Sequence, residues 1–353
     1  MPNIEQRKDD HIRINLEEDV RFDQLTTGLE RYSFAHLTVP ELDLAQIDTS
    51  TVLLGKRMLA PLLVSSMTGG TAQGGTINLR LAEAAQQYGL AMGLGSMRAA
   101  LEDPCLAGSF QVRTVAPDIL LLANLGAVQL NYGYTVEHCR RAVDMVGADA
   151  LLLHFNPLQE ALQPEGETNF SGLLAKVEQI CRRLEVPVVA KEVGWGFSEQ
   201  AARLLADAGV AAIDVAGSGG TSWSQVEMYR STSELERRVA STFRDWGIST
   251  ADSISLVRRT APGLPIVASG GLMNGLEVAK AIGLGAEIAA MAAPFLKAAM
   301  TSTEAVLSLI ETVIVELRIA MFCIGTSKLE QLRNTPHLVP NPTIHNFTTG
   351  DES

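Results

Sequence analysis

The chain has 353 residues, of which 46% are hydrophobic and 19% charged, and its 28 basic and 40 acidic residues give a net charge of −12. This composition can bury a large core and excludes an intrinsically disordered chain. The acidic balance argues against binding to nucleic acid or to an anionic membrane surface in general, so any anionic ligand must be held by a local cluster of cations.

Residues 1–60 are predicted to form an extension that precedes the repeating part of the chain. Its start, MPNIEQRKDDHIRI, is too charged for the apolar region of a secretory signal, so we expect a cytoplasmic protein. Arg7, Lys8 and His11 lie close together in an otherwise acidic chain. A solvated basic stretch would have the same composition.

After residue 60 the sequence repeats a short apolar run, a polar or glycine-rich break and a segment with helical periodicity. Segments such as 198–209 and 274–286 have apolar residues three or four apart and end near glycine, as helices do. The apolar runs predict eight strands, at residues 62–66, 89–94, 119–124, 150–154, 187–191, 212–216, 265–269 and 286–291.

Eight buried strands that alternate with helices predict a (β/α)₈ TIM barrel over residues 61–326. An open doubly wound sheet is the competing architecture. It needs fewer strands and a GxGxxG turn after the first of them, and the glycines of SSMTGGTAQGG (65–75) have the wrong spacing.

The end of the chain is predicted to hold a surface helix and a tail. Glu311, Glu316 and Arg318 interrupt the apolar segment 306–323, which predicts an amphipathic helix and not a membrane span. Residues 327–353 contain several prolines and are predicted to form a less regular tail. The four cysteines lie far apart without a CxxC pair, so we predict reduced thiols and assign them no function.

Functional residues of TIM barrels stand at the carboxyl ends of the strands, and here these positions are unusually polar. Glycine-rich stretches follow the sixth strand (216–223) and the seventh (269–271). We therefore predict a polar pocket at this end of the barrel. The other residues at the strand ends are Ser65, Ser66, Met67, Thr68, Ser96, Arg98, Asn124, His154, Asn156, Gln159, Glu160 and Lys191.

Each of these residues also has a purely structural interpretation. Ser96 or Asn124 could cap a helix, His154 could be a satisfied core histidine, and the glycine pairs could form simple turns. Lys191 favours a functional role, because a lysine that ends an apolar strand is costly to bury without a compensating anion. Glu227 is predicted to lie on a loop or helix over the pocket, with a surface glutamate as the alternative.

The glycine pairs after strands six and seven lie where many TIM barrels bind a phosphate with backbone N–H groups. Their position favours phosphate binding over simple turns.

Several motifs resemble those of the type II, flavin-dependent isopentenyl-diphosphate isomerases. The similar stretches run in the same order from residue 7 to about residue 298. They are RKDDHI (7–12), SSMTGG (65–70), GLGSMR (93–98), HFNPLQE (154–160), KEVGWG (191–196), GSGGTSW (217–223) and SGG (269–271).

The resemblance implies a barrel that binds FMN and interconverts isopentenyl and dimethylallyl diphosphate. It also implies a need for Mg²⁺, a flavin reduced by NADPH with no net redox change, and a homo-oligomer, often a tetramer or octamer. Residue 216 is Ala where some relatives carry Ser, which puts one expected hydrogen bond in doubt.

The same resemblance implies roles for individual residues. Lys191 would lie beside the N1–C2 carbonyl edge of the flavin, Glu160 would bind the metal ion, and Gln159 would face the allylic carbons. Substrate contacts would come from Arg7, Lys8, Ser96, Arg98, His154, Asn156 and Gln159. Flavin contacts would come from Ser66, Met67, Thr68, Ser96, Asn124 and Lys191, and phosphate contacts from Thr221, Gly270, Gly271, Ala292 and Ala293.

Elementary chemistry agrees with these roles. An ammonium group beside the N1 edge would stabilise an anionic reduced flavin, and Arg offers paired donors to diphosphate oxygens. A carboxyl group can transfer a proton and an amide can orient it, so we predict Glu227 and Gln159 as the catalytic residues.

Two other functions share much of this pattern. An FMN-dependent oxidoreductase of the 2-hydroxy-acid oxidase or dihydroorotate dehydrogenase type would have the same barrel, lysine and phosphate loops. A hydroxy-acid oxidase should also carry a histidine and an arginine in a stretch like SNHGGRQ, where this chain has AGSGGTSW. A non-catalytic flavin- or phosphate-binding barrel is the third possibility, which the combination of Gln159, Glu160 and Glu227 with the basic residues disfavours.

Overall fold

A computed structural model describes residues 4–341, and eight of its strands close into a parallel barrel. This confirms the predicted (β/α)₈ architecture. These eight strands follow one another in the chain between residues 62 and 291, each pairs with the next, and the last pairs with the first. The strands are β1 (Tyr32–Phe34), β2 (Thr51–Leu53), β3 (Lys56–Met58), β4 (Leu62–Val64), β5 (Ala91–Gly93), β6 (Leu121–Gly126), β7 (Ala150–Phe155), β8 (Val188–Glu192), β9 (Ala212–Asp214), β10 (Ile266–Ala268), β11 (Ile288–Met291) and β12 (Leu338–Pro340).

Helices connect the barrel strands and cover the outside of the barrel. Several of them begin at a polar capping side chain, such as the Thr71 hydroxyl, which accepts a hydrogen bond from the N–H of Gly74. The helices are α1 (Ile4–Glu17), α2 (Ala72–Tyr88), α3 (Arg98–Glu102), α4 (Val136–Val146), α5 (Pro157–Leu162), α6 (Leu173–Arg183), α7 (Glu199–Asp207), α8 (Trp223–Arg230), α9 (Glu234–Thr242), α10 (Thr250–Thr260), α11 (Gly275–Gly283), α12 (Ala293–Thr301), α13 (Thr303–Cys323) and α14 (Leu329–Leu332).

The hairpin of β2 and β3 closes the amino end of the barrel. Leu53 and Met58 from this hairpin are buried and belong to the same apolar cluster as the side chains inside the barrel. The turn between the two strands has positive φ at both Leu54 and Gly55 (49° and 78°), as a two-residue hairpin requires. Among residues 4–341, this hairpin covers the amino end and leaves the carboxyl end of the barrel for ligands.

The two ends of the described chain meet on the outer surface. β1 and β12 form an antiparallel pair in which Tyr32 lies opposite Pro340. The segment 306–323 lies within the single helix α13, and within residues 4–341 none of the helices has both the length and the apolar content that crossing a membrane requires. Residues 342–353 of the predicted tail lie outside the described residues.

Candidate functional site

A layer of polar side chains lies directly above the apolar layer inside the barrel. Successive side chains of a strand point to opposite faces, so a residue two positions after an inward one also points inward. The inward apolar residues include Leu122, Leu152, Val189, Ala212 and Val267. Two positions further on, the five neighbouring strands carry Asn124, His154, Lys191, Asp214 and Ser269.

Lys191 is buried in this layer and pairs with Asp214. Its Nζ lies 3.1 Å from Asp214 Oδ2 and donates a 3.4 Å hydrogen bond to Ser269 Oγ. The Ser269 hydroxyl in turn donates to the other oxygen of Asp214. Asp214 is therefore the anion that compensates the buried lysine, whose ammonium group keeps hydrogen-bonding capacity for a ligand.

His154 and Asn124 form the other side of the polar layer. His154 Nδ1 lies 2.8 Å from Asn124 Oδ1, and Asn124 Nδ2 donates to the carbonyl oxygen of Leu94. Burial lowers the pKa of His154 to about 4, and the charges of Lys191 and Arg7 act in the same direction. The imidazole is consequently neutral at pH 7. Asn124 lies inside β6 and is not a helix cap.

The loop after β4 holds two buried hydroxyl groups that lack a partner. Ser66 Oγ and Thr68 Oγ1 are buried, and neither has a hydrogen-bond partner among the described residues. Such groups indicate a position where a polar ligand supplies the missing bond. Met67 between them is partly buried against the core, and Ser96 does not cap a helix, because the capping position of α3 is Met97.

The loops after β9 and β10 approach each other closely through their glycines. A β carbon on Gly220 would lie 2.7 Å from the backbone nitrogen of Gly271. Gly270 and Gly271 have φ of 107° and 82°, which favours glycine. The Thr221 hydroxyl donates to Asn15 Oδ1 of α1 over 3.1 Å.

Next to these loops, α12 begins at Ala293 immediately after β11, with Ala292 as its capping residue. The first N–H groups of a helix have no partner inside that helix. The glycine loops and this helix start together are suited to a phosphate group.

A hydrogen-bonded array joins α5 to α8 at the rim of the pocket. Asn156 Nδ2 donates to Gln159 Oε1 (3.1 Å) and to Glu160 Oε1 (2.9 Å), and Gln159 Nε2 donates to Glu227 Oε1 (2.9 Å). Gln163 Nε2 and the N–H of Glu167 both donate to Glu160 Oε2. The four predicted residues Asn156, Gln159, Glu160 and Glu227 are therefore brought together.

Glu227 is buried on α8, so the alternative of a surface glutamate is wrong. Its Oε2 accepts a hydrogen bond from Arg230, and His11 Nε2 lies 3.3 Å from Oε1 without a hydrogen-bonding alignment. Burial raises the pKa of this carboxyl group, but His11, the charge of Arg230 and the Gln159 bond outweigh it and lower the pKa to about 2. Glu227 is consequently a carboxylate at neutral pH.

The basic cluster of α1 lies over the barrel mouth and is not a solvated stretch. Lys8 Nζ donates to the carbonyl oxygens of Gly69 and Ser96 and lies 5.1 Å from the centre of the Phe110 ring. Burial, followed by the charge of Arg7, lowers the pKa of Lys8 to about 7. Arg7 Nη1 lies 3.9 Å from Glu165 Oε1.

Arg98 is held by two carboxylates at the start of α3. Its Nε donates to Glu102 Oε1 (2.8 Å) and its Nη1 to Glu167 Oε2 (3.0 Å), which leaves Nη2 for another acceptor. The backbone N–H of Glu167 also donates to Glu160, so Glu167 links Arg98 to the hydrogen-bonded array between α5 and α8.

The residues that hold the predicted ones in place were not predicted from the sequence. Asp214 could have been found, because it interrupts an apolar strand at an inward position. Glu192 accepts the N–H groups of residues 193–195, and burial raises its pKa to about 7 against the effect of those bonds. Nothing in the neighbouring sequence indicated a role for four others, because charged or amide residues in a loop or at a helix end are common on protein surfaces. They are Gln163, Glu165, Glu167 and Arg230.

Comparison with known proteins identifies similar chains. Residues 141–339 match the family model of FMN-dependent dehydrogenases. The chain is 55% identical over 332 residues to an isopentenyl-diphosphate delta-isomerase of Nostoc sp., covering 94% of this chain and 95% of that protein. It is 51% identical to proteins of the same name from Synechococcus sp. (96% and 97% covered) and Rickettsia rickettsii (93% and 95% covered).

Similar solved structures are more distant in sequence. A lactate oxidase of Pediococcus acidilactici is 15% identical with a TM-score of 0.67, covering 97% of this chain and 95% of the other. A mandelate oxidase in complex with (S)-2-phenylpropionate is 20% identical with a TM-score of 0.65, covering 96% of both chains. At these identities the likeness concerns the barrel fold alone.

Proposed function

This chain belongs to the type II, FMN-dependent isopentenyl-diphosphate delta-isomerases. We propose here how the residues at the polar mouth of its barrel interconvert isopentenyl and dimethylallyl diphosphate. The observation that carries the proposal is the array in which Gln159, Glu160 and Glu227 meet at one rim of the pocket. It would supply a proton acceptor and a metal ligand side by side.

The residues around the barrel mouth fit FMN. The buried hydroxyls of Ser66 and Thr68 need partners, and Lys191 offers an ammonium group in the polar layer of the barrel. Thr221, the glycine loop 270–271 and the start of α12 would hold the phosphate. When bound and reduced, FMN supplies an electron-rich ring next to the alkene.

The diphosphate is proposed to bind between α1 and α3. Arg7, Lys8 and Arg98 would reach its oxygens, with Asn156 and the neutral His154 as hydrogen-bonding groups. The carbonyl oxygen Oδ1 of Asn156 has no partner among residues 4–341, so its amide can still accept a hydrogen bond. α1 would shield the pocket from water, which a carbocation-like transition state requires.

At the alkene end, one carbon would gain a proton, which bound reduced FMN would supply, and an allylic carbon would lose one. Glu227 is proposed to accept the departing proton on Oε1, because it is a carboxylate at neutral pH. Gln159 donates to that oxygen and would keep it aimed at the allylic carbon. Arg230 holds the other oxygen and stabilises the carboxylate.

Glu160 is proposed to bind Mg²⁺. Its Oε1 accepts one hydrogen bond and so keeps a free lone pair for a cation. Among residues 4–341 no three His, Cys, Asp or Glu side chains cluster to hold a metal ion. One carboxylate together with substrate phosphate oxygens is a common way to bind Mg²⁺.

The enzyme reduced by NADPH or dithionite under anaerobic conditions is expected to convert isopentenyl into dimethylallyl diphosphate only when Mg²⁺ is present. NADPH as the physiological reductant is part of this proposal. Product formation is followed by NMR, and chelation of the metal ion should stop turnover. Failure to turn over with reduced FMN and Mg²⁺ both present would refute the proposed function.

Glu160→Gln is expected to raise the Mg²⁺ concentration for half-maximal rate by more than about tenfold, because the amide is a poor ligand for a hard cation. FMN binding should stay unchanged. Glu102→Gln is the matched control, since Glu102 contacts Arg98 but not Glu160. A variant that loses FMN and keeps its Mg²⁺ requirement would mean that the metal site lies elsewhere.

We also propose that the protein works in the cytoplasm as a homo-oligomer, a tetramer or octamer as the family resemblance implies. Exposed apolar side chains on and beside α11 and α13 support self-association. They are Met273, Leu276, Val315 and Ile319, which are 56, 46, 47 and 47% exposed. Light scattering coupled to gel filtration would measure the assembly.

A further inference from the structure

The loop that follows α5, residues 163–167, is packed directly on Glu160. Gln163 Nε2 and the N–H of Glu167 donate to Glu160 Oε2 over 2.6 and 2.7 Å. A β carbon at Gly166 would lie 1.7 Å from the carbonyl oxygen of Glu160, so only glycine fits there. The loop thus fixes the direction of this carboxylate and leaves its other oxygen, Oε1, to the rim of the pocket.

The side chain of Glu167 points away from Glu160 and towards Arg98. Its Oε2 accepts hydrogen bonds from Arg98 Nη1 (3.0 Å) and from the amide of Gln129. The Glu167 side chain is 15% exposed and Gln129 is 5% exposed, so these contacts are well shielded from water. One residue therefore touches the proposed metal ligand with its backbone and the proposed diphosphate-binding arginine with its side chain.

We propose that Glu167 is a positioning residue that couples Arg98 to Glu160, so that the Mg²⁺–diphosphate complex meets both groups at a fixed separation. The inference rests on the proposed function of those two residues. A diphosphate that is held by a cationic side chain and by a metal ion needs both at the correct distance and orientation. If the protein fixes this arrangement beforehand, binding avoids the cost of ordering the two groups. Glu167 would fix this arrangement although it contacts neither the diphosphate nor the metal ion.

Loss of the Glu167 side chain should disturb both contacts. Arg98 and Gln129 would lose their shared acceptor, and residue 167 would lose the anchors that hold its N–H against Glu160. Removal of comparable outer partners of metal ligands costs roughly ten- to hundredfold in metal affinity.

The test is titration of the FMN-bound protein with inorganic pyrophosphate by calorimetry, with and without Mg²⁺. The quantity to compare is the Mg²⁺ enhancement, which is the Kd without the metal ion divided by the Kd with it. Glu167→Ala is expected to lower the enhancement by roughly tenfold or more. Glu167→Gln should lower it less, because the amide oxygen can still accept from Arg98 or Gln129.

Glu102→Gln is the matched control, because it removes the other carboxylate on Arg98 and has no contact with Glu160. It should leave the enhancement unchanged. If Glu167→Ala weakens pyrophosphate binding by the same factor with and without Mg²⁺, or if Glu160→Gln has the normal enhancement, the coupling is refuted. If Glu167→Ala loses FMN, the Mg²⁺ enhancement of Glu167→Gln is compared with that of Glu102→Gln instead. An equal enhancement in these two variants refutes the coupling.

This titration requires no turnover. A protein that bound pyrophosphate with the expected Mg²⁺ enhancement but failed to isomerise its substrate would contradict the proposed function and not the role of Glu167.

Discussion

Glu227→Gln is expected to lower kcat by about 10²- to 10⁴-fold, the range over which a positioned acid or base contributes to catalysis. Glutamine has nearly the same shape and can still accept from Gln159, but it cannot take up a proton. KM and FMN binding should change little, because Glu227 is proposed to act at the alkene and not at the diphosphate. Steady-state kinetics of the reduced enzyme measure the effect.

Glu234→Gln makes the same chemical change at an exposed position at the start of α9 and should leave kcat unchanged. Hydrogen–deuterium exchange at the allylic carbon provides a second measurement, since the variant should lose exchange in parallel with turnover. A Glu227→Gln enzyme with kcat within a few-fold of the parent would exclude this carboxylate as the proton acceptor.

Lys191→Met is expected to have two separable effects. It removes the cation proposed to stabilise an anionic reduced flavin, so FMN should bind more weakly and the reduced flavin should stay neutral at pH values where the parent is anionic. It also leaves Asp214 buried without its partner, and breaking a buried ion pair costs about 3–5 kcal/mol in the free energy of unfolding.

The double variant Lys191→Met, Asp214→Asn distinguishes the two effects. Replacing both charges removes the unpaired carboxylate, so most of the lost stability should return in a denaturant titration. The flavin defect should remain, because the ammonium group is still missing. A Lys191→Met protein whose reduced flavin has the parent spectrum and pH dependence would contradict the proposed contact with the cofactor.

The architecture was largely predictable because the barrel repeats one simple pattern. Each apolar run marks a strand, and the positions of all eight strands agree with the structure. The boundaries were less accurate. The strand predicted at 212–216 ends at Asp214, since pairing stops where the backbone enters the glycine loop, and β6 continues to Gly126 because that residue still pairs with His154.

The candidate site was predictable where a residue departed from its surroundings. Lys191 at the end of an apolar strand required a compensating anion, and strand alternation identifies that anion as Asp214. The loop 163–167 carried no comparable signal. Its Glu165 and Glu167 look like surface residues in the sequence, and their importance depends on contacts with Arg230 and Arg98, 65 and 69 positions away.

The cations at the barrel mouth already have partners within the chain. Arg7 faces Glu165, Arg98 is held by two carboxylates, and Lys8 lies on carbonyl oxygens. With a net charge of −12, the whole protein repels a free anion at long range. Substrate capture should thus proceed by exchange of partners at short range, and raising the ionic strength should not slow association, as it does in enzymes that attract their substrates electrostatically, because salt screens the long-range repulsion.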